Sequence, residues 1–287
     1  MITSVKEILE KAKEGGYAVG AFNTVNLEIT QAIIEAAKKK HSPIVIQVSE
    51  NTLEYAGGRG IFHLIKNYAE FYAPEIPIGI HLDHGHSFEI VQRVANNGFT
   101  SVMYDGSRKK FDDNLEITKK VVDFCHDKGI DVQGELGNVP YLSENKMGEV
   151  DWDKYMTDPE QAKYFVETTG IDALAVAIGN AHDFFKERET PDWERLDKIR
   201  GLVDVPIVMH GASDWEDGKA TEAVKRGVNC FNIDTNTRLA FVNTLSSIFR
   251  SDDDPGFDVR KILGQAREAV KESVIKKIEL FGSADKA

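Results

Sequence analysis

The chain has 287 residues, 41% of them hydrophobic and 29% charged, enough to bury a sizeable core as one large domain or two small ones. Its 35 lysines and arginines stand against 47 aspartates and glutamates, a net charge of −12 spread along the whole length, which argues against nucleic acid or an anionic membrane as a partner. No apolar run approaches the roughly 20 residues needed to cross a bilayer, and the two cysteines, Cys125 and Cys230, sit in apolar stretches rather than in a disulfide framework, so a reducing, cytoplasmic setting is expected.

The first 16 residues interleave lysine and glutamate at helical spacing, a pattern unlike a signal or transit peptide. Beyond them, short Val- and Ile-rich runs recur, each followed by a polar cluster and then by a helical period. The runs are 18–23 (AVGAFN), 43–49 (PIVIQVS), 78–85 (IGIHLDHG), 101–106 (SVMYDG), 131–137 (DVQGELG), 172–179 (DALAVAIG), 206–211 (PIVMHG) and 230–235 (CFNIDT). Amphipathic segments lie between them. One covers 26–40, with Asn26 in a capping position, an early Glu28 and a terminal lysine cluster. Another is expected to begin at Asp113, with Glu116 three residues on as in a capping box. No low-complexity stretch or linker divides the chain, so residues 1–287 read as a single domain. Continuously apolar strands alternating with helices imply a parallel sheet covered on its outer face, and eight such units in about 250 residues point to a closed (β/α)8 TIM barrel. The alternative, a doubly wound open sheet, would show a glycine-rich phosphate turn after its first strand, and AFNTVN is not one.

Reactive groups in such barrels gather at the C-terminal ends of the strands. In chain order those ends are Asn23, Ser49, Asp83 with His84, Asp105, Glu135, His182, His210, and Asn232 with Asp234 and Thr235. Three of the eight histidines, His84, His182 and His210, thus share the register of one mouth, and three imidazoles there would hold a catalytic zinc ion with open positions. Any one of them alone reads as a hydrogen-bonded structural histidine. Glu135 reads as a second metal position, as a residue orienting a ligand, or as a carboxylate satisfied by neighbouring backbone.

With HLDHG at 81–85, FNIDT at 231–235, YAVGAFN near the start, SVMYDGS, ELG and a C-terminal AREAVKESVIKKIELFGS, the chain closely resembles the class II (metal-dependent) fructose-bisphosphate/tagatose-bisphosphate aldolase family, nearly end to end. That resemblance implies zinc ligands at His84, His182 and His210, a catalytic aspartate at Asp83, and an alternative or second metal position at Glu135. It assigns substrate and phosphate contacts to Lys186, Ser213, Asn232, Asp234 and Thr235, with Asn23, Ser49 and Gly211 as further substrate-binding candidates, and a distal phosphate to Arg260. It also implies a homodimer or homotetramer, a monovalent cation near the phosphate, and a glutamate on the loop after strand five as the acid that protonates the enediolate, for which Glu144 is the nearest candidate. The residues fit such a reaction on their own terms. No strand run contains the lysine a Schiff base would need, so a metal Lewis acid takes the electrophilic role. Asp83, beside a metal ligand, can take the C4 hydroxyl proton as the C3–C4 bond of a ketose breaks.

Three departures from the family pattern bear on substrate. Gly211-Ala212-Ser213-Asp214 replaces a Gly-Gly-(Ser/Thr)-Gly turn, Asp183 stands where a glycine normally follows the second ligand, and Pro140-Tyr141 replaces a Gly-Gly pair. The family default is fructose 1,6-bisphosphate, whereas these changes lead us to expect a variant ketose. Alternatives are a different metal-dependent aldolase, such as one for a deoxy-keto-gluconate phosphate, and a catalytically impaired barrel that only binds sugar phosphates. A metal-dependent amidohydrolase would need His-x-His on strand one, which has none.

Overall fold

The computed structural model describes residues 1–140, 152–181, 190–251 and 256–287. The elements follow in the order α1 (Val5–Gly15), β1 (Val19–Asn23), α2 (Leu27–Lys40), β2 (Ile44–Ser49), α3 (Glu50–Ala56), α4 (Gly58–Tyr72), β3 (Ile78–Gly85), α5 (Phe88–Ala95), β4 (Ser101–Tyr104) and α6 (Phe111–His126). They continue with β5 (Asp131–Leu136), α7 (Trp152–Tyr155), α8 (Pro159–Thr169), β6 (Ala173–Val176), α9 (Trp193–Leu202), β7 (Ile207–Met209), α10 (Asp217–Lys225), β8 (Val228–Ile233), α11 (Thr235–Arg250) and α12 (Val259–Phe281). All eight strands are parallel, each pairs with the next, and β8 closes on β1 through Phe22 opposite Ile233, giving the (β/α)8 TIM barrel expected. Every strand overlaps a run read from the sequence. Among the described residues no helix is long and apolar enough to cross a membrane.

The two faces of the strands make two cores, as a period of two requires. Outward residues such as Phe22, Ile46, Leu82, Val102 and Phe231 pack under the helices, with Phe231 stacked on Phe281 of α12 at 4.4 Å between ring centroids. Inward residues Val19, Ala21, Val45, Ala173, Ala175, Val208 and Cys230 meet Val5, Ile8, Leu9 and Ala12 of α1, which stoppers the N-terminal end of the barrel. Burying each of the three larger α1 side chains contributes about 1.5–3 kcal/mol. The stopper is also tied down by polar contacts. Ser4 caps α1 by accepting from Glu7 N and donates to Asp131 Oδ2 at 2.8 Å, and Lys6 Nζ reaches Asp172 Oδ1 at 3.0 Å. With its N-terminal end plugged, the barrel opens only at the carboxyl ends of the strands.

Asn26 caps α2 as expected, accepting from Ile29 N at 3.0 Å. The start of α6 differs from expectation. The helix begins at Phe111 after Lys110, with no side-chain cap, and Asp113 lies inside the first turn instead of forming a capping box with Glu116. Phe111 packs against Phe165 with centroids 6.3 Å apart, and this anchor starts the helix two residues early. Asp112 and Asp113 then complement the positive end of the helix dipole. Both cysteines are buried and unpaired by disulfide.

Candidate metal and acid–base site

Asp83 and His84 are consecutive on β3, so in a regular strand only one of them could face the barrel mouth. The register of β3 against β4 shifts between Leu82 and Gly85, and His84 adopts a left-handed backbone, φ 49°. This combination of bulge and strained residue turns both side chains inward.

His84 Nε2 lies 3.1 Å from His210 Nδ1, and His210 Nδ1 lies 3.5 Å from Glu135 Oε2. One ligand atom from each of these three residues falls within 4.8 Å of the other two. Asp105 Oδ2 accepts from His84 Nδ1 at 2.7 Å, which fixes the proton of a neutral His84 on Nδ1 and leaves the lone pair of Nε2 directed toward His210 Nδ1. Burial opposes a charge on His84, but Asp83, the Asp105 hydrogen bond and Glu135 outweigh it and lift its pKa to about 10. Burial likewise pushes Glu135 up to about 8, with Asp105 adding to the rise. Burial disfavours the Asp105 carboxylate too, yet its hydrogen bond with His84 holds it well below the usual range. The Asp83 and Asp105 carboxylates beside His84 thus create a field that favours positive charge there. Glu135 Oε2 is buried and makes no hydrogen bond among the described residues. An orphaned carboxylate oxygen between two inward imidazoles is a donor set that fits a divalent ion of the zinc type.

Asp83, 8% exposed, is clamped by two amides. Asn23 Nδ2 donates to its Oδ2 at 2.8 Å and Asn232 Nδ2 to its Oδ1 at 3.2 Å, while Oδ1 lies 3.8 Å from His84 Nε2. The carboxylate is therefore held beside the His84 imidazole in a single orientation.

A pocket opens above this floor. Asn23, Ser49, Asp83, His84, Gly211, Ser213, Asn232, Asp234 and Thr235 all line it, so these candidates converge in space. His210 and Glu135 are buried at 0% and 2% side-chain exposure beneath. Ser49 also caps α3, accepting from Thr52 N at 3.4 Å. Gly211 has φ 58°, and a Cβ there would run into the Ala181 carbonyl. Lys277 of α12 donates to Ser213 O at 3.1 Å and so fastens the turn that carries Ser213 and Asp214. Arg260 is not brought into the pocket. Its side chain is 91% exposed and pairs with its neighbour Asp258 at 3.0 Å. His182, Lys186, Asp183 and Glu144 lie outside the described residues. Three lining residues escaped the sequence reading, Glu50, His86 and Arg238, whose Nη2 lies 2.6 Å from Asp234 Oδ2, and that reading did not pair the strand-end Asp105 with His84. The four-residue step from Asp234 to Arg238 on α11 was the signal for Arg238.

A closed parallel barrel with imidazoles, carboxyl groups and an amide-held aspartate at the carboxyl ends of its strands has the layout of a barrel enzyme, with a donor set at its mouth that could hold a metal ion. The chain belongs to the class-II fructose-bisphosphate aldolase family, whose model matches residues 3–286. It is 40% identical to the fructose-bisphosphate aldolase of Thermus caldophilus, an alignment covering 100% of both chains. It is 38% identical to that of Geobacillus stearothermophilus, covering 100% of this chain and 99% of the relative. Among solved structures, the YdjI aldolase from Escherichia coli K12 superposes with a TM-score of 0.87 at 32% identity, covering 100% of both chains. The protein is accordingly an aldolase, a carbon–carbon lyase.

Proposed function

We propose that the chain cleaves and forms the C3–C4 bond of a ketose with a zinc ion held by His84, His182 and His210, Glu135 supplying an alternative or second metal position. The observation that carries this reading is the Asp83 carboxylate clamped by Asn23 and Asn232 within 3.8 Å of His84 Nε2. The three histidines would hold the ion, and the chemistry it would supply is Lewis-acid polarisation of the ketose carbonyl and stabilisation of the negative charge left on the departing triose. Asp83 takes the C4 hydroxyl proton as the electrons of the C3–C4 bond move to C3, and returns it in the condensation direction. The two amide clamps leave each carboxylate oxygen a lone pair for that proton. Glu144 is assigned the proton delivered to C3.

The substrate we propose is a ketose whose C1 end carries no phosphate or holds it differently from fructose 1,6-bisphosphate, with a distal anion met by Arg238, which lines the pocket where Arg260 does not. Glu50, Asp83, Asp214 and Asp234 all line the pocket, and Arg238 is already engaged by Asp234. A carboxylate about 5 Å from a phosphate disfavours it by roughly 3 kcal/mol per unit of phosphate charge at an effective dielectric near 20. The test is kcat/KM for fructose 1,6-bisphosphate against ketose monophosphates and unphosphorylated ketoses, in wild type and in Asp183→Gly with Asp214→Gly. We expect the double variant to gain on the bisphosphate. Efficient wild-type cleavage of the bisphosphate, unchanged in the double variant, would refute the variant substrate and restore the family default.

A further inference from the structure

The metal reading leaves open how His210 is held in the tautomer that presents Nδ1 to an ion, and the geometry points to Gln133. Gln133 is 4% exposed and stands two residues before Glu135 on β5, so both side chains face the barrel interior. Its amide meets His210 on the ring nitrogen away from Glu135, with Gln133 Nε2 2.9 Å from His210 Nε2. The same Nε2 lies 3.0 Å from Asn232 Nδ2. A neutral imidazole carries one proton. With both amide nitrogens facing Nε2, that proton sits on Nδ1, the nitrogen aimed at His84 and Glu135. An ion on Nδ1 displaces it, and the ring then carries its proton on Nε2, which needs an acceptor in a buried site.

Only one of the two amides is at liberty to supply it. Asn232 donates through the same Nδ2 to Asp83 Oδ1 at 3.2 Å, and a half turn of its amide would set a carbonyl oxygen against that carboxylate. Among the described residues Gln133 makes no such second donation. Its amide oxygen and nitrogen exchange places by a half turn, after which the oxygen accepts from His210 Nε2. Gln133 is thus a positioning residue acting through His210, and this role rests on His210 being a metal ligand.

The test measures zinc affinity of the whole chain by competition with a chromophoric chelator, in wild type, Gln133→Met, Gln133→Glu and His210→Ala. Loss of an acceptor behind a ligating imidazole weakens metal binding by about 10–100-fold, which is the drop expected for Gln133→Met. Gln133→Glu, which accepts and cannot donate when ionised, is expected to match or exceed wild type. Wild-type affinity in Gln133→Met would overturn the role of Gln133 if His210→Ala loses zinc. Should Gln133→Met fail to fold, Gln133→Glu decides, because weaker zinc binding there means that Gln133 serves as a donor and the inference is wrong. Unchanged zinc affinity in His210→Ala would instead remove the metal reading itself.

Discussion

Replacing Asp83 with alanine separates the acid–base role from the metal and from the fold. Removing a positioned proton-transfer group lowers rate by about 10²–10⁴-fold, which is about 3–6 kcal/mol of catalysis at about 1.4 kcal/mol per decade. The structural cost is smaller. In the metal-free chain Asn23 Nδ2 loses the acceptor it holds at 2.8 Å, while Asn232 Nδ2 keeps His210 Nε2 at 3.0 Å. One buried donor without a partner costs about 1–3 kcal/mol, within the roughly 5–15 kcal/mol by which a domain of this kind is stable. The variant should therefore fold, retain zinc measured by atomic absorption, and lose most retro-aldol turnover followed by coupled NADH oxidation. A kcat within about 3-fold of wild type would show that Asp83 only supports its neighbours and that the proton leaves by another route.

Other outcomes follow from the same geometry. Asp105→Asn replaces the acceptor behind His84 Nδ1, and should weaken zinc binding by about 10–100-fold in chelator competition while sparing secondary structure. Gly211→Ala forces an L side chain into φ 58° and into the Ala181 carbonyl, so its thermal midpoint should fall by the equivalent of at least about 1–3 kcal/mol, and a midpoint equal to wild type would contradict the contact. At the barrel floor, burial raises the Asp131 carboxyl above 3.8 despite hydrogen bonds from Lys6 N and Ser4. The fold there favours the neutral form, so the stability owed to Asp131 is intact below 3.8 and declines as pH rises through the elevated value. Asp131→Asn removes this decline, and its midpoint relative to wild type should climb over that window; a difference independent of pH would refute it.

The barrel was legible because its information is periodic. Apolar runs at strand spacing, each closed by a polar residue, gave the position of all eight strands, and strand-end register brought Asn23, Asp83, His84 and Asn232 to one pocket. What was hidden depends on local backbone or on partners far apart in sequence. HLDHG cannot announce that β3 bulges and that His84 turns left-handed, since period-two reasoning sends Asp83 and His84 to opposite faces. Asp105 reads as the end of strand four, and only the fold shows that it stands 2.7 Å behind His84. Gln133, inside the run DVQGELG, drew no reading from the sequence, and its meaning comes from His210, 77 residues away. The start of α6 was missed because the packing of Phe111 outweighs a local capping pattern.

The measurement that bears most directly on the account is carbon–carbon cleavage as a function of metal. The purified chain is stripped with a chelator, assayed for release of triose from a panel of ketoses, then reassayed after zinc is returned, with borohydride added in a parallel sample. About one zinc per chain, loss of cleavage on stripping, recovery with zinc, and no adduct trapped by borohydride are the predicted results. Full cleavage by the stripped chain, or a substrate covalently trapped on a lysine by borohydride, would contradict it.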